Sequence, residues 1–412
     1  LNPLQAQLRS SSVPAQPRRT SPSVVALESH RSLSIGMRPD EVCAPSAEEG
    51  PHERLEVSDR ARELTRSMCR PLSVDDPASQ VSVVSFNMLL KGFESKPYYP
   101  EVDPGLRAWR WRKPRLEELL KGLDADLYCM QEVEVDSFAD EFSFLEELGY
   151  EAVAPQDGGK PKKLPAGAPP RDLAKCAFFY RASRLELVWS ERRSRAVLAA
   201  FRHAGSGRLL YAASCHLEGA PGEAAARVSQ TRSALERLAL DQRRRGLAPE
   251  ECCVVFAGDF NSSGDSAVCQ LLREGRLEQS FRDPWAPDVE LVKQAVSHEF
   301  VLSDVYGLTP SRPPTFCCPC AGRRPKFVAI DFVFFSPRTL SCVAIREPYT
   351  PEQFRAASSA GTPSEWHFSD HVPVGGVFEF AGADTQGSPP AHGRPPRRHR
   401  LSSRRAPART LC

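Results

Sequence analysis

Asp259 and Asn261 stand two residues apart at the end of an apolar run, Val254-Val255-Phe256-Ala257-Gly258. Such a run predicts a strand buried on both faces, with its polar residues delivered at its end. In an extended chain, residues two apart point the same way. A carboxylate and a carboxamide then face one cleft, the first as proton acceptor and the second as hydrogen-bond donor. That pair suits hydrolysis of a phosphate ester, because one group activates water and the other holds a phosphate oxygen. Taken alone, the stretch reads equally well as a strand followed by a polar turn, where Gly, Asp, Asn and Ser are ordinary.

The same pattern recurs along the chain. Val81-Ser82-Val83-Val84-Ser85-Phe86 predicts a strand that ends at Asn87, and residues 126–133 predict one whose last members are Gln131 and Glu132. Residues 209–217 predict another, with His216 near its end. Residues 327–335 predict a strand with Asp331 inside it, and a charge within an apolar strand is costly unless paired. Asp370 and His371 come just before a last strand over 372–380. Each residue singly is explained as a turn residue or a structural histidine, but six such coincidences at strand ends are too many for turns.

Helices must hold these strands. Pro114 suits the first turn of a helix in which Leu116, Leu119, Leu120 and Leu123 form one apolar face. A short helix is expected over 142–148 and a long one over 224–245, with Val228, Leu235 and Leu238 inward. Arg243, Arg244 and Arg245 complement the dipole of its last turn and need no ligand. A further helix over 266–272 is capped near Asp265. Residues 175–180 and 185–189 read as strands, and 155–172 and 284–326 as loops. Strand, helix and strand together bring polar groups to strand C-terminal ends, where layered α/β proteins place ligand clefts. Cys317-Cys318-Pro319-Cys320 invites a zinc reading, but no second Cys or His group accompanies it at zinc-site spacing.

The 412 residues suffice for one large or two ordinary domains. With 54 Lys+Arg against 52 Asp+Glu, net charge is +2 and names no polyanionic or polycationic partner. The 13 cysteines are odd in number, and Cys129, Cys176, Cys215, Cys252 and Cys253 sit in apolar strands, as reduced thiols in a reducing compartment do. No run of about 18 apolar residues exists, so no membrane span is expected. Residues 1–75 are Ser-, Pro- and Arg-rich and are expected to be a disordered extension, with 76–382 as the catalytic domain. Arg9, Arg18 and Arg19 without any acid are compatible with an organelle transit peptide, a variable extension being the plainer reading. A cytoplasmic protein is expected, with mitochondrion or plastid as the alternative. The chain begins with Leu, as a fragment or processed product would. Residues 383–412 carry seven arginines and one acid, a disordered basic tail able to touch RNA but solvated by default.

The ordered set is also familiar. Ser85-Phe86-Asn87-Met88-Leu89, Trp109 to Arg115 with Leu116-Glu117-Glu118-Leu119, Met130-Gln131-Glu132-Val133-Glu134, Cys215-His216-Leu217, Gly258 to Ser262, Ile330-Asp331-Phe332-Val333-Phe334 and Ser369-Asp370-His371 occur in this order. Over residues 80–380 the chain resembles the endonuclease/exonuclease/phosphatase superfamily, the deoxyribonuclease-I-like fold. Within it the closest likeness is to the carbon-catabolite-repressor-type deadenylase and nocturnin branch, favoured by the Trp- and Arg-rich segment. The resemblance implies an α+β, four-layer α/β/β/α sandwich: two packed mixed sheets flanked by helices, with the site at one edge. It implies Mg²⁺ or Mn²⁺, in keeping with candidate ligands that are hard oxygens without a thiolate.

By that resemblance Glu132 is the main metal ligand, Asn87 sits beside it on metal or phosphate, and Asp370 is a further ligand. Asp259 orients or deprotonates water, while Asn261 and His216 hold phosphate oxygens. Asp331 pairs with His371 and keeps it cationic, which also explains a buried aspartate. Trp109, Arg112, Arg324, Lys326 and Phe327 are the expected substrate contacts. Phe327 stacks on a base or belongs to the core, and the cations meet phosphates or water; the sequence leaves both readings open. Ala174-Lys175 departs from the acidic or polar residue and glycine common in the family at that point. The implied reaction is 3′ exoribonucleolysis of poly(A) to 5′-AMP. The alternatives are a 2′-phosphatase acting on NADP(H), a 2′,5′-phosphodiesterase, or an inactive RNA-binding scaffold, the last opposed by the intact set of site residues. No leucine-rich-repeat docking period is present, and a monomer is expected.

Overall fold

Strands buried on both sides need two packing partners, and this chain supplies a second sheet on one side and helices on the other. The computed structural model describes residues 68–91, 99, 101–135, 137–155, 174–307, 312–318, 326–347, 349 and 362–381. Most of the expected extension, the basic tail, Arg324 and Cys320 lie outside the described residues. The strands are β1 (Gln80–Asn87), β2 (Leu127–Glu134), β3 (Tyr150–Val153), β4 (Ala174–Arg181), β5 (Leu185–Arg192), β6 (Ala196–His203), β7 (Leu209–His216) and β8 (Cys253–Asp259). They continue with β9 (Arg276–Leu277), β10 (Val296–Ser297), β11 (Ser303–Asp304), β12 (Phe316–Cys318), β13 (Lys326–Val328), β14 (Asp331–Phe335), β15 (Leu340–Ile345) and β16 (Val374–Phe380).

Two six-stranded sheets result, ordered β15-β16-β1-β2-β4-β3 and β11-β14-β8-β7-β6-β5. Both are mixed: β1 runs parallel to β2 and antiparallel to β16, while β8 runs parallel to β7 and antiparallel to β14. Side-chain alternation along β1 sorts its residues. Val81 and Val83 join Val197, Phe201, Leu210 and Val255 of the other sheet, whereas Val84 and Phe86 join Leu116, Leu119, Leu120 and Leu123 of the helix Trp109–Leu123. The helices Ala224–Arg244 and Ala267–Glu274 cover the outer face of the second sheet. The layers run helix, sheet, sheet, helix, the expected sandwich.

Several boundaries differ from expectation. The helix of Pro114 begins at Trp109, so the proline lies inside it rather than in its first turn. Residues 327–335 form two strands with a break at 329–330, and Asp331 opens β14 instead of interrupting a strand. The strands β3, β6 and β15 have no counterpart in the sequence reading. Packing starts ahead of residue 76, since Met68 is buried against the helix-covered face of the first sheet. No described helix is long and apolar enough to cross a membrane.

Candidate active site

Three strands of the second sheet put their terminal polar residues side by side. His216 of β7 lies in register with Asp259 of β8, and Asp331 of β14 lies in register with the same Asp259 from the other side. Close approach of β7 and β8 requires Gly258, whose φ is +146°. A Cβ there would stand 2.0 Å from the Cys215 carbonyl oxygen. Past the strand, Asn261 turns into the left-handed region at φ +48°, a conformation asparagine tolerates. Its backbone N–H donates to Asp259 Oδ1 at 2.9 Å, which orients the carboxylate.

The first sheet contributes the facing wall. A bulge in β2 between Met130 and Val133 turns Glu132 out of the pleat, with φ +58°. Asn87, at the end of β1, has no exposed surface, and its amide Nδ2 donates to Glu132 Oε1 at 3.0 Å and to Asp259 Oδ2 at 3.1 Å. Its Oδ1 accepts the Leu89 N–H at 3.1 Å, which fixes the orientation of the amide. Leu90 N–H donates to Glu132 Oε2 at 2.7 Å. One amide therefore joins two carboxylates from two sheets. Like charges are held close by a donor between them, and a cation would relieve the remaining repulsion.

A histidine completes the group. His371 Nδ1 bonds Asp331 Oδ2 at 2.9 Å, and its Nε2 lies 3.6 Å from Asp259 Oδ2. His216 Nε2 stands at the same 3.6 Å from Asp259 Oδ2. Burial disfavours charge on His371, but the carboxylates of Asp331, Asp370 and Asp259 outweigh it and hold the imidazole well above its usual range. Burial pushes the Asp331 carboxyl upward, and His371 pulls it back. We read the pair as carboxylate and imidazolium, because the ring faces two further carboxyls, Asp259 at 3.6 Å and Asp370 at 4.0 Å. Asp370 is pushed up to about 6, chiefly by burial and with Glu132 adding to it. Its Oδ2 accepts from the Tyr99 phenol at 2.8 Å, while Oδ1 is buried without a hydrogen-bond partner among the described residues.

The profile of the endonuclease/exonuclease/phosphatase family matches residues 84–371, the span that carries every group just described. The chain belongs to that family. Among curated proteins it is similar to carbon catabolite repressor protein 4 homolog 4 of Arabidopsis thaliana, 27% identical over 357 residues that cover 72% of this chain and 77% of that protein. It is also similar to the CCR4-Not complex 3′-5′-exoribonuclease subunit Ccr4 of Saccharomyces cerevisiae, 22% identical over 81% of this chain but only 44% of that protein. Among solved structures it is similar to ANGEL2, a 2′,3′-cyclic phosphatase, in complex with adenosine-2′,3′-vanadate. That likeness has a TM-score of 0.59 at 21% identity over 73% of this chain and 96% of the other, and it concerns the fold. This family member is a metal-dependent hydrolase of phosphate esters.

The donor set fits a hard divalent cation. Glu132 and Asp370 present oxygen only, and the buried, unpartnered Asp370 Oδ1 is the kind of atom a cation satisfies, while Asn87 turns its Nδ2 to Glu132 and its Oδ1 to the Leu89 N–H and so braces the carboxylate. Asp259, Asp331 and His371 are also compact enough to enclose an ion, with ligand atoms within 4.8 Å of one another. Asp331 Oδ1 is likewise buried without a hydrogen-bond partner among the described residues, but we favour the first set, since Asp331 Oδ2 takes up His371 Nδ1 and an imidazolium repels a cation.

Sequence reasoning names Asn87, Glu132, His216, Asp259, Asn261, Asp331, Asp370 and His371, and these lie on adjoining strand ends or in direct contact. Asn261 differs in detail: its Nδ2 donates to the Leu217 carbonyl at 3.0 Å, which leaves one amide hydrogen for a ligand. Arg112 is a correction. The expected substrate contact is fully buried, and its guanidinium donates to the carbonyls of Arg107, Met88 and Leu89, clamping the loop after β1. Trp109 lies half-buried beside it, 5.0 Å under the guanidinium and packed on the helix–sheet core. Phe327 is half-buried against that same core, in keeping with the packing reading. Lys326 belongs to β13, while Arg324 is outside the described residues.

The structure adds residues that sequence reasoning missed. Thr315 Oγ1 accepts the N–H groups of Ile330 and Asp331, both at 3.0 Å, and so fixes the start of β14. Phe316 packs on the His371 ring at 4.6 Å. Ser369 Oγ donates to the Asn87 carbonyl at 2.8 Å and accepts the His371 N–H at 3.2 Å. The cysteine-rich segment holds part of the site's backbone. Cys317 N–H donates to the Asp370 carbonyl at 2.8 Å, and its side chain is buried in the core. Tyr99 and Thr315 lie in loops with no periodic pattern, so no sequence signal marks them.

Proposed function

We propose that this enzyme is a Mg²⁺-dependent 3′ exoribonuclease that trims poly(A) or a similar RNA 3′ end and releases 5′-AMP. The observation that carries the reading is Asp259 Oδ2, which meets the Asn87 amide at 3.1 Å and two imidazoles at 3.6 Å. One carboxylate oxygen flanked by an amide and two imidazoles is an arrangement for taking a proton from water next to an anionic ester. The 3′-5′-exoribonuclease relatives support RNA as the substrate.

Each side chain then has a part in the reaction. Asp259 orients the attacking water and accepts its proton. The second amide hydrogen of Asn261 and the imidazole of His216 hold non-bridging phosphate oxygens. His371, kept cationic by Asp331, faces the charge that grows as the phosphorus–oxygen bond breaks. Glu132 and Asp370, with Asn87 beside them, would hold the divalent ion, which supplies Lewis-acid neutralisation of the phosphate. Lys326 and Arg324 are proposed to line the path of the RNA. The cytoplasm is the proposed compartment, supported by nine free cysteines among the described residues.

Incubation of the purified chain with Mg²⁺ and labelled oligo(A), NADPH, or RNA ending in a 2′,3′-cyclic phosphate distinguishes the candidates. A ladder ending in AMP is expected. Phosphate released from NADPH, or opening of the cyclic end without a ladder, would move the site to phosphatase chemistry. Glu132→Ala should lower whichever activity appears by about a thousandfold, several kcal/mol of lost charge stabilisation at about 1.36 kcal/mol per decade. A Glu132→Ala enzyme that turns over like its parent removes the metal assignment.

A further inference from the structure

A strongly cationic cleft of the described surface opens beside the active site, and the roles above do not use it. Lys175 and Cys176 at the start of β4, Arg192, Arg193 and Arg195 at the β5–β6 turn, and His216 line it. His216 belongs to both places, so a phosphate held by His216 has the cleft as its neighbour. The wall is fixed relative to the site: His216 N–H donates to the Arg195 carbonyl at 2.9 Å, and the Cys176 thiol reaches that carbonyl at 3.8 Å.

The charge in the cleft is not fully offset. Arg195 pairs with Glu218. Arg193 stands 3.6 Å from Glu191, but that carboxylate is held more closely by Arg237, at 2.7 Å. Lys175 has no carboxylate partner among the described residues. Arg192 is engaged, donating to the Ala154 carbonyl at 2.7 Å, so the excess comes from Lys175 and Arg193: with Arg195 paired to Glu218 and Glu191 held by Arg237, they leave net positive charge that fits one phosphate group.

We propose that this cleft binds a second phosphate of the substrate, the one adjoining the phosphate under attack. The ligand class is a nucleotide chain, whose consecutive phosphates lie along one strand. The cleft then works as a specificity device, favouring polynucleotides over esters that carry a single phosphate. The inference rests on the phosphoester-hydrolase reading of the site and deepens it.

The test uses the full chain and Lys175→Gln combined with Arg193→Gln. Binding of a short 5′-labelled oligo(A) is measured by fluorescence anisotropy in EDTA across a salt series. The double variant should bind at least tenfold more weakly. The slope of log affinity against log salt should flatten by about 0.7, the contribution of the one single-strand phosphate that is no longer neutralised. In the presence of Mg²⁺, oligo(A) should lose at least tenfold more kcat/KM than a nitrophenyl ester of a mononucleotide. Arg243→Gln, at the exposed C-terminal end of the helix Ala224–Arg244 and past the Ser233 and Arg237 that border the cleft, controls for loss of a surface charge and should change neither readout. Arg193→Glu alone should weaken binding further than Arg193→Gln if the double variant proves unstable. Equal affinity and slope for parent and double variant would overturn the proposal, as would equal losses on both esters. If the parent hydrolyses no ester, the hydrolase reading fails and the binding series alone decides the cleft.

Discussion

At the scale of single residues, the site is a problem of like charges solved by placement. Asp259 and Asp331 face each other in register on neighbouring strands, an unfavourable pairing in isolation. His371 lies against both, at 3.6 Å from Asp259 and 2.9 Å from Asp331. Replacement of Asp331 by Asn keeps an acceptor for the ring Nδ1 and removes the anion that outweighs burial. Loss of that anion weakens the imidazolium, and the stabilisation aimed at the departing oxygen goes with it. Asp331→Asn should therefore lower kcat by about a hundredfold or more, with a smaller change in KM. The fold should survive, because the substitution also relieves the repulsion with Asp259. Steady-state kinetics on whichever ester the parent cleaves provide the measurement. A kcat within threefold of the parent would remove Asp331 and His371 from the chemistry.

At the scale of elements, strand ends are legible where both faces of the strand are buried. β1, β7 and β8 are buried along nearly their whole length and carry only small serines among their apolar residues, so the larger polar residues at their ends announce themselves as cleft residues. The break before β14 is illegible for an equally physical reason. Phe327-Val328-Ala329-Ile330 carries no Gly or Pro, and the chain leaves one strand and opens another because Thr315, fifteen and sixteen residues away, takes the two amides. Arg112 misleads in the same way. An arginine beside tryptophans suggests a nucleic-acid contact, yet the helix turns it inward onto carbonyls that sequence does not reveal. Elements also set a hard limit at Gly258. A methyl group there would collide with the Cys215 backbone at 2.0 Å, on a strand pair that cannot spread without moving Asp259 from His216. Gly258→Ala should cost more than about 4 kcal/mol and yield little soluble protein. A variant that melts within a few degrees of the parent would show that the β7–β8 spacing is adjustable.

At the scale of the whole molecule, acid sensitivity follows from histidines that fold in the neutral state. His298 Nε2 contacts the Leu271 carbonyl at 3.0 Å, so that nitrogen carries the hydrogen. Its Nδ1 accepts the Phe300 N–H at 3.1 Å and cannot take a proton without setting two donors against each other. Burial lowers this imidazole to about 4, with the Leu271 carbonyl opposing weakly. An unfolded histidine titrates near 6.5. Stability from this group is therefore complete above about pH 6.5 and is lost as pH falls toward 4, because the unfolded chain gains a proton that the folded chain refuses. At pH 4.5 the loss amounts to about 2 kcal/mol, after allowance for partial exposure. Buried aspartates complicate the absolute curve: Asp304 and Asp370 are each pushed up to about 6 by burial, and protonating them on acidification favours the fold. The difference between parent and His298→Asn removes that background. Asn keeps an acceptor for Phe300 and has no proton to gain, so the unfolding free energies from urea melts at pH 7.5 and 4.5 should converge in the variant relative to the parent by about 2 kcal/mol. Parallel pH profiles for the two proteins would mean that the folded chain accepts a proton at His298 after all, and that the contacts of the segment 298–300 do not hold the ring neutral.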